Sequence, residues 1–247
     1  MSLLKNLASD QSIANEKDTL GGSRVLDTGL HMLNITLAYV TVAASGALGL
    51  VLGAKTSSGQ EYRETLWMSS GTAKGAKNYY EKDGEKIYLP GYLVANSLAL
   101  LTVGKEISEL DTEEKVVGVY NAEAKQEVPT KVNMIMDLLG QQILAGIVKQ
   151  TVDRTKKNEA TGAYEATGET RDENVIDKLF RAKDRMTTAE IRAQAETATF
   201  ADTWAEKNTG VTRNRAKGAA AAGKPGAPRL NGAAAAAGAP KSKSLFG

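Results

Sequence analysis

The sequence contains no cysteine. That excludes a disulfide framework, a thiolate metal site and a cysteine nucleophile. It has a single histidine, His31, so a histidine-rich metal centre is excluded and any histidine-based triad would depend on that residue alone. His31 shares the parity of Leu33 and Ile35 on an apolar stretch and is assigned no chemistry. No run approaches the ~18 consecutive apolar residues of a transmembrane helix, so no membrane span is expected. The first eighteen residues, MSLLKNLASDQSIANEKD, lack the basic start and long apolar core of a secretory signal. Residues 1–20 therefore read as a short N-terminal arm. Acid is missing from the other end: residues 211–247 hold seven cations (Arg213, Arg215, Lys217, Lys224, Arg229, Lys241, Lys243) and no Asp or Glu. The whole chain carries +2, so the preceding 210 residues carry −5. A mildly acidic body with a basic extension marks an interaction arm.

Aromatic residues are few but concentrated. Five of the thirteen fall in residues 67–92: Trp67, Tyr79, Tyr80, Tyr88 and Tyr92. Between them stand Lys74, Lys77, Lys82 and Lys86, with glycines at 71, 75, 84 and 91. Flat π-faces among cations suit a ligand that both stacks and carries negative charge, and single-stranded nucleic acid is the commonest such ligand. An ordinary hairpin excursion whose tyrosines cap a core is the structural alternative.

Three strands are expected in residues 26–68. In the first, Leu33, Ile35, Leu37 and Tyr39 fall on one face by strict alternation. Leu48, Leu50 and Leu52 alternate in the second, and Ser57-Ser58-Gly59 turns the chain. The third places Tyr62, Leu66 and Met68 on one face and Arg63, Thr65 and Trp67 on the other. After Pro90-Gly91, residues 92–103 have helical spacing, with Gly104 as the stop. Residues 115–120, 127–136 and 141–152 read as strands, and 158–171 as a long loop. Residues 172–183 and 188–206 read as helices, the second opened by the capping-box pattern Thr187 to Glu190. From residue 209 the composition collapses to Ala, Gly, Pro and Lys, the signature of a disordered tail.

This order predicts a mainly β (β+α) chain: a five-stranded OB-fold barrel with a helical insertion, C-terminal helices and a disordered tail. The expected divisions are 1–20 (arm), 21–157 (barrel domain), 158–208 (loop and helical extension on the barrel) and 209–247 (basic tail). An OB-fold binds oligonucleotides across the face of its second and third strands. Enzymatic signatures are absent. The GTAKGAK run misses the phosphate-loop spacing, because Lys77 is followed by Asn78 where Ser or Thr is required. No HExxH occurs, and the cluster Glu106, Glu109, Asp111, Glu113, Glu114 reads as a solvated turn. No enzyme activity, metal or cofactor is expected.

Several phrases resemble the single-stranded DNA-binding proteins encoded by tailed bacteriophages. They are LNITLAYVTVAASGALGLVLGAKTSSGQEYRETLWMSSGTAKG, NYYEKDGEK, LLTVGKE, DLLGQQI and the closing KSLFG. The resemblance runs from about residue 26 to 204 and includes the tail end. It implies an OB-fold that coats single strands during phage replication and recombination in the cytoplasm of the infected bacterial host. It also implies a C-terminal tip, here Leu245 and Phe246, that docks replication or recombination proteins. In that family the tip is acidic before its terminal aromatic, whereas this one is basic. Combining both lines, Trp67, Tyr79, Tyr80 and Tyr88 are expected to stack bases, and Arg63, Lys74, Lys77, Lys86, Lys149 and Arg154 to meet phosphates. The competing expectation is a virion structural or assembly protein that uses the β-domain and tail to dock on protein partners.

Overall fold

A computed structural model describes residues 25–121, 124–158 and 164–217. The arm expected at 1–20 and most of the tail, including Leu245 and Phe246, lie outside them. Of the described residues, 49% are strand and 19% helix, so the chain is mainly β, built on one large antiparallel sheet.

The sheet begins with a meander. Strand β1 (Gly29–Val42) pairs with β2 (Leu48–Thr56), and β2 pairs with β3 (Glu61–Trp67). A small hairpin, β4 (Tyr79–Lys82) and β5 (Glu85–Tyr88), leads into helix α1 (Pro90–Thr102). A second hairpin follows, β6 (Glu113–Asn121) with β7 (Gln126–Met134). Two long strands, β8 (Gln142–Lys157) and β9 (Tyr164–Arg181), form a third. Two short helices, α2 (Thr188–Arg192) and α3 (Phe200–Asn208), precede the two-residue strand β10 (Arg213–Asn214). The first half of β1 takes β8 as its second neighbour, and Tyr39 and Val40 further along take β7. The continuous path is therefore β3-β2-β1-β8-β9, with β10 parallel to β8 beyond the end of β1.

The sheet is not a closed barrel: among the described residues no backbone ladder joins β3 to β9. Helix α1 packs against β3, β8 and β9 and buries Ala95, Leu98, Ala99 and Leu101. The main core joins Ala95, Leu98 and Leu101 to Leu33, Ile35, Ala38, Leu50, Leu52, Leu66, Ile143, Ile147, Ile176 and Leu179. On the other face of the sheet, α3 covers Leu144, Val148 and Phe180 through Ala201 and Trp204.

Two expectations fail for one physical reason. The alternation predicted along β1 breaks at a bulge between Ile35 and Leu37. Leu33, Ile35 and Ala38 point into the core, while Leu37 and Tyr39 turn to the opposite face against Val51, Val132 and Met134. The helix predicted at 172–183 is strand β9. Its register shifts at Ile176, where Gly146 faces Lys178 and Ile147 faces Ile176. A bulge adds one residue, so core positions Ile176 and Leu179 become three apart, the spacing of a helix. Most of the loop predicted at 158–171 also belongs to β9, and the β8–β9 ladder runs across the boundary expected at 157/158. The single helix expected at 188–206 is two. The Glu190 carboxylate accepts from Thr187 N–H in the capping box and from Thr199 and Phe200 N–H at the start of α3.

Candidate nucleic-acid interface

On the face of β1–β3 opposite the main core, β2 presents two glycines. Gly49 pairs with Trp67, and Gly53 pairs with Arg63. With no side chain at 49, the six-membered ring of the Trp67 indole packs onto the strand: a Cβ there would sit 2.9 Å from Cε3. The space above Gly53 is filled by Leu37, whose side chain is 2.9 Å from where a Cβ would be. Trp67 is nevertheless 45% exposed. Its backbone is clamped from behind by α1, where a Cβ on Gly91 would stand 2.2 Å from the Trp67 carbonyl oxygen. Only glycine permits that approach. Beside Trp67, the exposed Arg63 donates from Nη2 to Tyr39 Oη at 3.3 Å. An aromatic face and a guanidinium thus stand on one open strand, fixed from below by a residue with no side chain.

The glycine-rich excursion is pinned rather than loose. Thr72 N–H and Oγ1 both donate to the Ser45 carbonyl in the β1–β2 turn, at 2.8 and 3.2 Å. Lys77 N–H donates to Ser70 Oγ, and Leu89 N–H to the Asn78 carbonyl. The β4–β5 hairpin turns on Asp83 and Gly84, both with positive φ (53° and 82°), the geometry of a two-residue type I′ turn. Tyr79 and Tyr88 are cross-strand partners and share a face with Lys86. The ammonium groups of Lys77 and Lys86 lie 5.3 and 5.0 Å from the Tyr79 ring, within cation–π range. Tyr88 is 51% exposed and stacks obliquely on Tyr92 at 5.1 Å. Tyr80 sits on the opposite face, paired with Ile87. Lys74 ends an exposed turn of 3-10 helix, residues Thr72–Lys74. Across residues 74–86 four lysines face three carboxylates, so this hairpin is only weakly basic.

The remaining two predicted phosphate contacts lie on β8 and are already engaged. Lys149 is mostly buried between Asp27 at 3.8 Å and Asp172 at 3.7 Å. Arg154 is ion-paired with Glu169 at 2.9 Å. The structure therefore brings together Arg63 and Trp67 on β3, and Lys77, Tyr79, Lys86 and Tyr88 on the hairpin. Lys77 is itself ion-paired with Glu81 at 3.9 Å, and Lys149 and Arg154 belong to separate ion pairs.

Where β3 and β9 part, they enclose a cleft of about 630 Å³ lined by Arg63, Glu64, Trp67, Asp153, Arg171 and Glu173, among others. Glu64 bridges the seam. Its Oε2 accepts from the Tyr62 hydroxyl on its own strand and from Ile176 N–H on β9 at 3.0 Å. Burial of the carboxyl lifts its pKa to about 7, against the lowering effect of those two hydrogen bonds. Sequence reasoning passed over Glu64, although a carboxylate on the parity of Tyr62 and Leu66 is the visible signal. It also passed over Gly49 and Gly53, whose alternation inside a strand marks a flattened face. No protein-family model matches the chain, and no curated protein matches it, so the reading of this face rests on its own geometry.

Proposed function

We propose that the chain is a non-enzymatic, largely sequence-independent single-stranded DNA-binding protein that protects and organises single strands in phage replication and recombination. The observation that carries this reading is Trp67: a large indole, 45% exposed, seated against Gly49 with Arg63 on the same strand face. A surface tryptophan costs apolar exposure unless something covers it. One fixed in orientation is prepared to receive a base without losing side-chain freedom at that moment. Tyr88, Tyr79, Lys77 and Lys86 on the neighbouring hairpin supply a second patch of the same chemistry. Stacking contributes ~1–3 kcal/mol per base.

An OB-type architecture is part of the proposal. The β1–β3 meander, helix α1 after β3, and β8 and β9 completing the path β3-β2-β1-β8-β9 support an open, five-stranded version of that fold. Its β2–β3 surface is the usual oligonucleotide face. Glu64 and α1 then bridge the seam that a closed barrel would ladder.

The test is titration of labelled oligo-dT and of duplex at several salt concentrations. Single strands should bind in preference to duplex, with affinity falling steeply as salt rises. Absence of binding at low salt, or equal affinity for duplex, defeats the proposal. Co-purification with particles in place of DNA binding would favour the virion-assembly alternative.

A further inference from the structure

Strand β6 has one neighbour. It pairs with β7 along its whole length, from Glu113 opposite Met134 to Asn121 opposite Gln126, and among the described residues no strand ladders to its other edge. Pro129 fixes which way its backbone groups point. A proline has no N–H, so Gly118 and Pro129, which face each other, cannot be a hydrogen-bonded pair. Alternation along an antiparallel ladder then makes Glu114, Val116 and Tyr120 non-hydrogen-bonded positions as well. Ile135, of the same parity as Pro129, agrees: its N–H turns away from β6 and donates to the Ala38 carbonyl at 2.8 Å. The N–H and C=O groups of Glu114, Val116, Gly118 and Tyr120 therefore point outward from the free edge.

Long edges are ordinarily blunted by proline, a bulge or a projecting charge. Strand β6 has no proline, and its register with β7 is unbroken. Its one lysine, Lys115, is engaged by Glu113 at 2.8 Å. Lys131 of β7 likewise neutralises Glu114 at 2.7 Å, so the edge carries no net charge to repel its like. On the face shared with Gly118, Val116 is 63% and Tyr120 61% exposed. Gly118 between them has no side chain, and the space above it holds the carboxylate of the exposed Glu127, the far end of a side chain that can swing aside.

We propose that β6 pairs with the β6 of a second copy of the chain, antiparallel about a two-fold axis through Val117, so that two hairpins join into one four-stranded sheet. Val117 is the midpoint of Glu113–Asn121, so this register overlaps both strands completely. The outward groups then meet one another. Val116 exchanges hydrogen bonds with Gly118 of the second copy, and Glu114 does so with Tyr120. Val117 faces its own counterpart at a non-hydrogen-bonded position, with α-carbons about 4.5 Å apart. No like charges stand opposite: Glu113 meets Asn121, and Lys115 meets Val119. Val116 packs diagonally on Val116 and Tyr120 of the second copy, covering apolar surface that β7 leaves bare. Such an isologous contact closes after two subunits. The pairing belongs to the protein alone and does not depend on DNA binding.

The chain has no cysteine, so a single introduced one reports the register. Val117→Cys, oxidised in the full-length protein without DNA, should run as a disulfide-linked dimer on a non-reducing gel, because its α-carbons come within bridging range. Tyr120→Cys should run as a monomer, because the antiparallel stagger holds its two thiols about 20 Å apart. Sedimentation velocity over a concentration series should show the parent passing from monomer to dimer. Val116→Lys, which sets two lysines diagonally across the axis, should stay monomeric throughout with its denaturant midpoint unchanged. If that substitution lowers the midpoint, the cysteine pair decides alone. A parent that remains monomeric at the highest concentration, a folded Val116→Lys protein that still dimerises, or equal cross-linking through residues 117 and 120 overturns the inference. None of these measurements uses DNA, so a failure to bind oligo-dT would defeat the functional proposal and leave this one standing.

Discussion

The two tryptophans are placed by the same device and end in opposite states. Trp67 lies over Gly49 of β2, and Trp204 lies over Gly146 of β8; in both cases a Cβ on the glycine would be 2.9 Å from the indole. Trp204 is then sealed. It is 4% exposed, its Nε1–H donates to Asp177 Oδ2 at 2.7 Å, and Phe180 meets it edge-on at 6.5 Å. Trp67 has no such cover. A glycine under an indole therefore identifies a seat, and what lies on the far side of the ring decides whether the seat belongs to the core or to a surface. Under the proposed function, the difference separates stability from binding in two residues of one type.

The largest expected effect is on Trp204. Changing Trp204→Ala removes a buried aromatic and leaves Asp177 facing Arg213 alone, which should cost about 3–5 kcal/mol, read as the denaturant midpoint. Trp67→Ala should change stability far less and instead weaken oligo-dT binding by about 1–3 kcal/mol, roughly 5- to 150-fold. A Trp67→Ala protein that unfolds early and binds normally would reverse the comparison.

Beneath Trp67, the inner face of β3 supplies a pH test. Glu64 has its pKa raised from 4.5 to about 7 in the folded protein. A carboxyl with a raised folded pKa is favourable while protonated and loses that contribution as pH rises. Folded stability should accordingly decline between about pH 4.5 and pH 7 and level off above, by something on the order of 3 kcal/mol. Glu64→Gln should flatten that decline. A variant with the parent's full pH dependence in urea melts would remove Glu64 as its origin. Asp177 has the opposite sign. Its burial acts to raise the pKa, but the hydrogen bonds from Arg213 and Trp204 outweigh it and hold the group below the usual carboxylate range. Its contribution is present above the unfolded pKa and fades as pH falls through the folded one.

The smaller effects concern the glycine seats. Gly49→Ala should displace the Trp67 indole and cost about 1 kcal/mol of DNA affinity or less, since the open side lets the ring tilt. Gly146→Ala has no such freedom and should cost about 1–3 kcal/mol of stability by overpacking. Smallest of all is a spectroscopic difference: acrylamide should quench Trp67 emission and leave Trp204 almost untouched, as judged in Trp67→Phe and Trp204→Phe proteins.

Regular stretches were legible in the sequence. The parity of β3, with Tyr62 and Leu66 inside and Arg63 and Trp67 outside, was readable because no bulge interrupts it. The capping box at Thr187 and the stop at Gly104 were local signals that tertiary context left intact. Bulges in β1 and β9 hid what alternation should have revealed, since one inserted residue makes a strand imitate helical spacing. The β4–β5 hairpin was announced by Asp83-Gly84 between YYEK and EKIY, a turn signal that the aromatic-and-lysine pattern overshadowed. Within the site, residue type pointed to Trp67 and Arg63. Their neutral or engaged state was not legible: Lys149 and Arg154 look like free cations in sequence, and only long-range pairing brings Asp172 and Glu169 to them.

Strand β1 lies between β2 and β8, and that position has a consequence for synthesis. Its partner on one side follows within a few residues, whereas on the other side Leu30 waits for Gly146. At roughly 5–20 residues per second, more than a hundred residues of translation leave that edge without its ladder for about 6–23 seconds. Pairings of such sequence separation also form slowly in the finished chain, because the intervening loop must close first. The β1–β2–β3 meander that bears Trp67 can thus assemble early on the ribosome, while the core behind it becomes complete only when β8 and β9 have emerged.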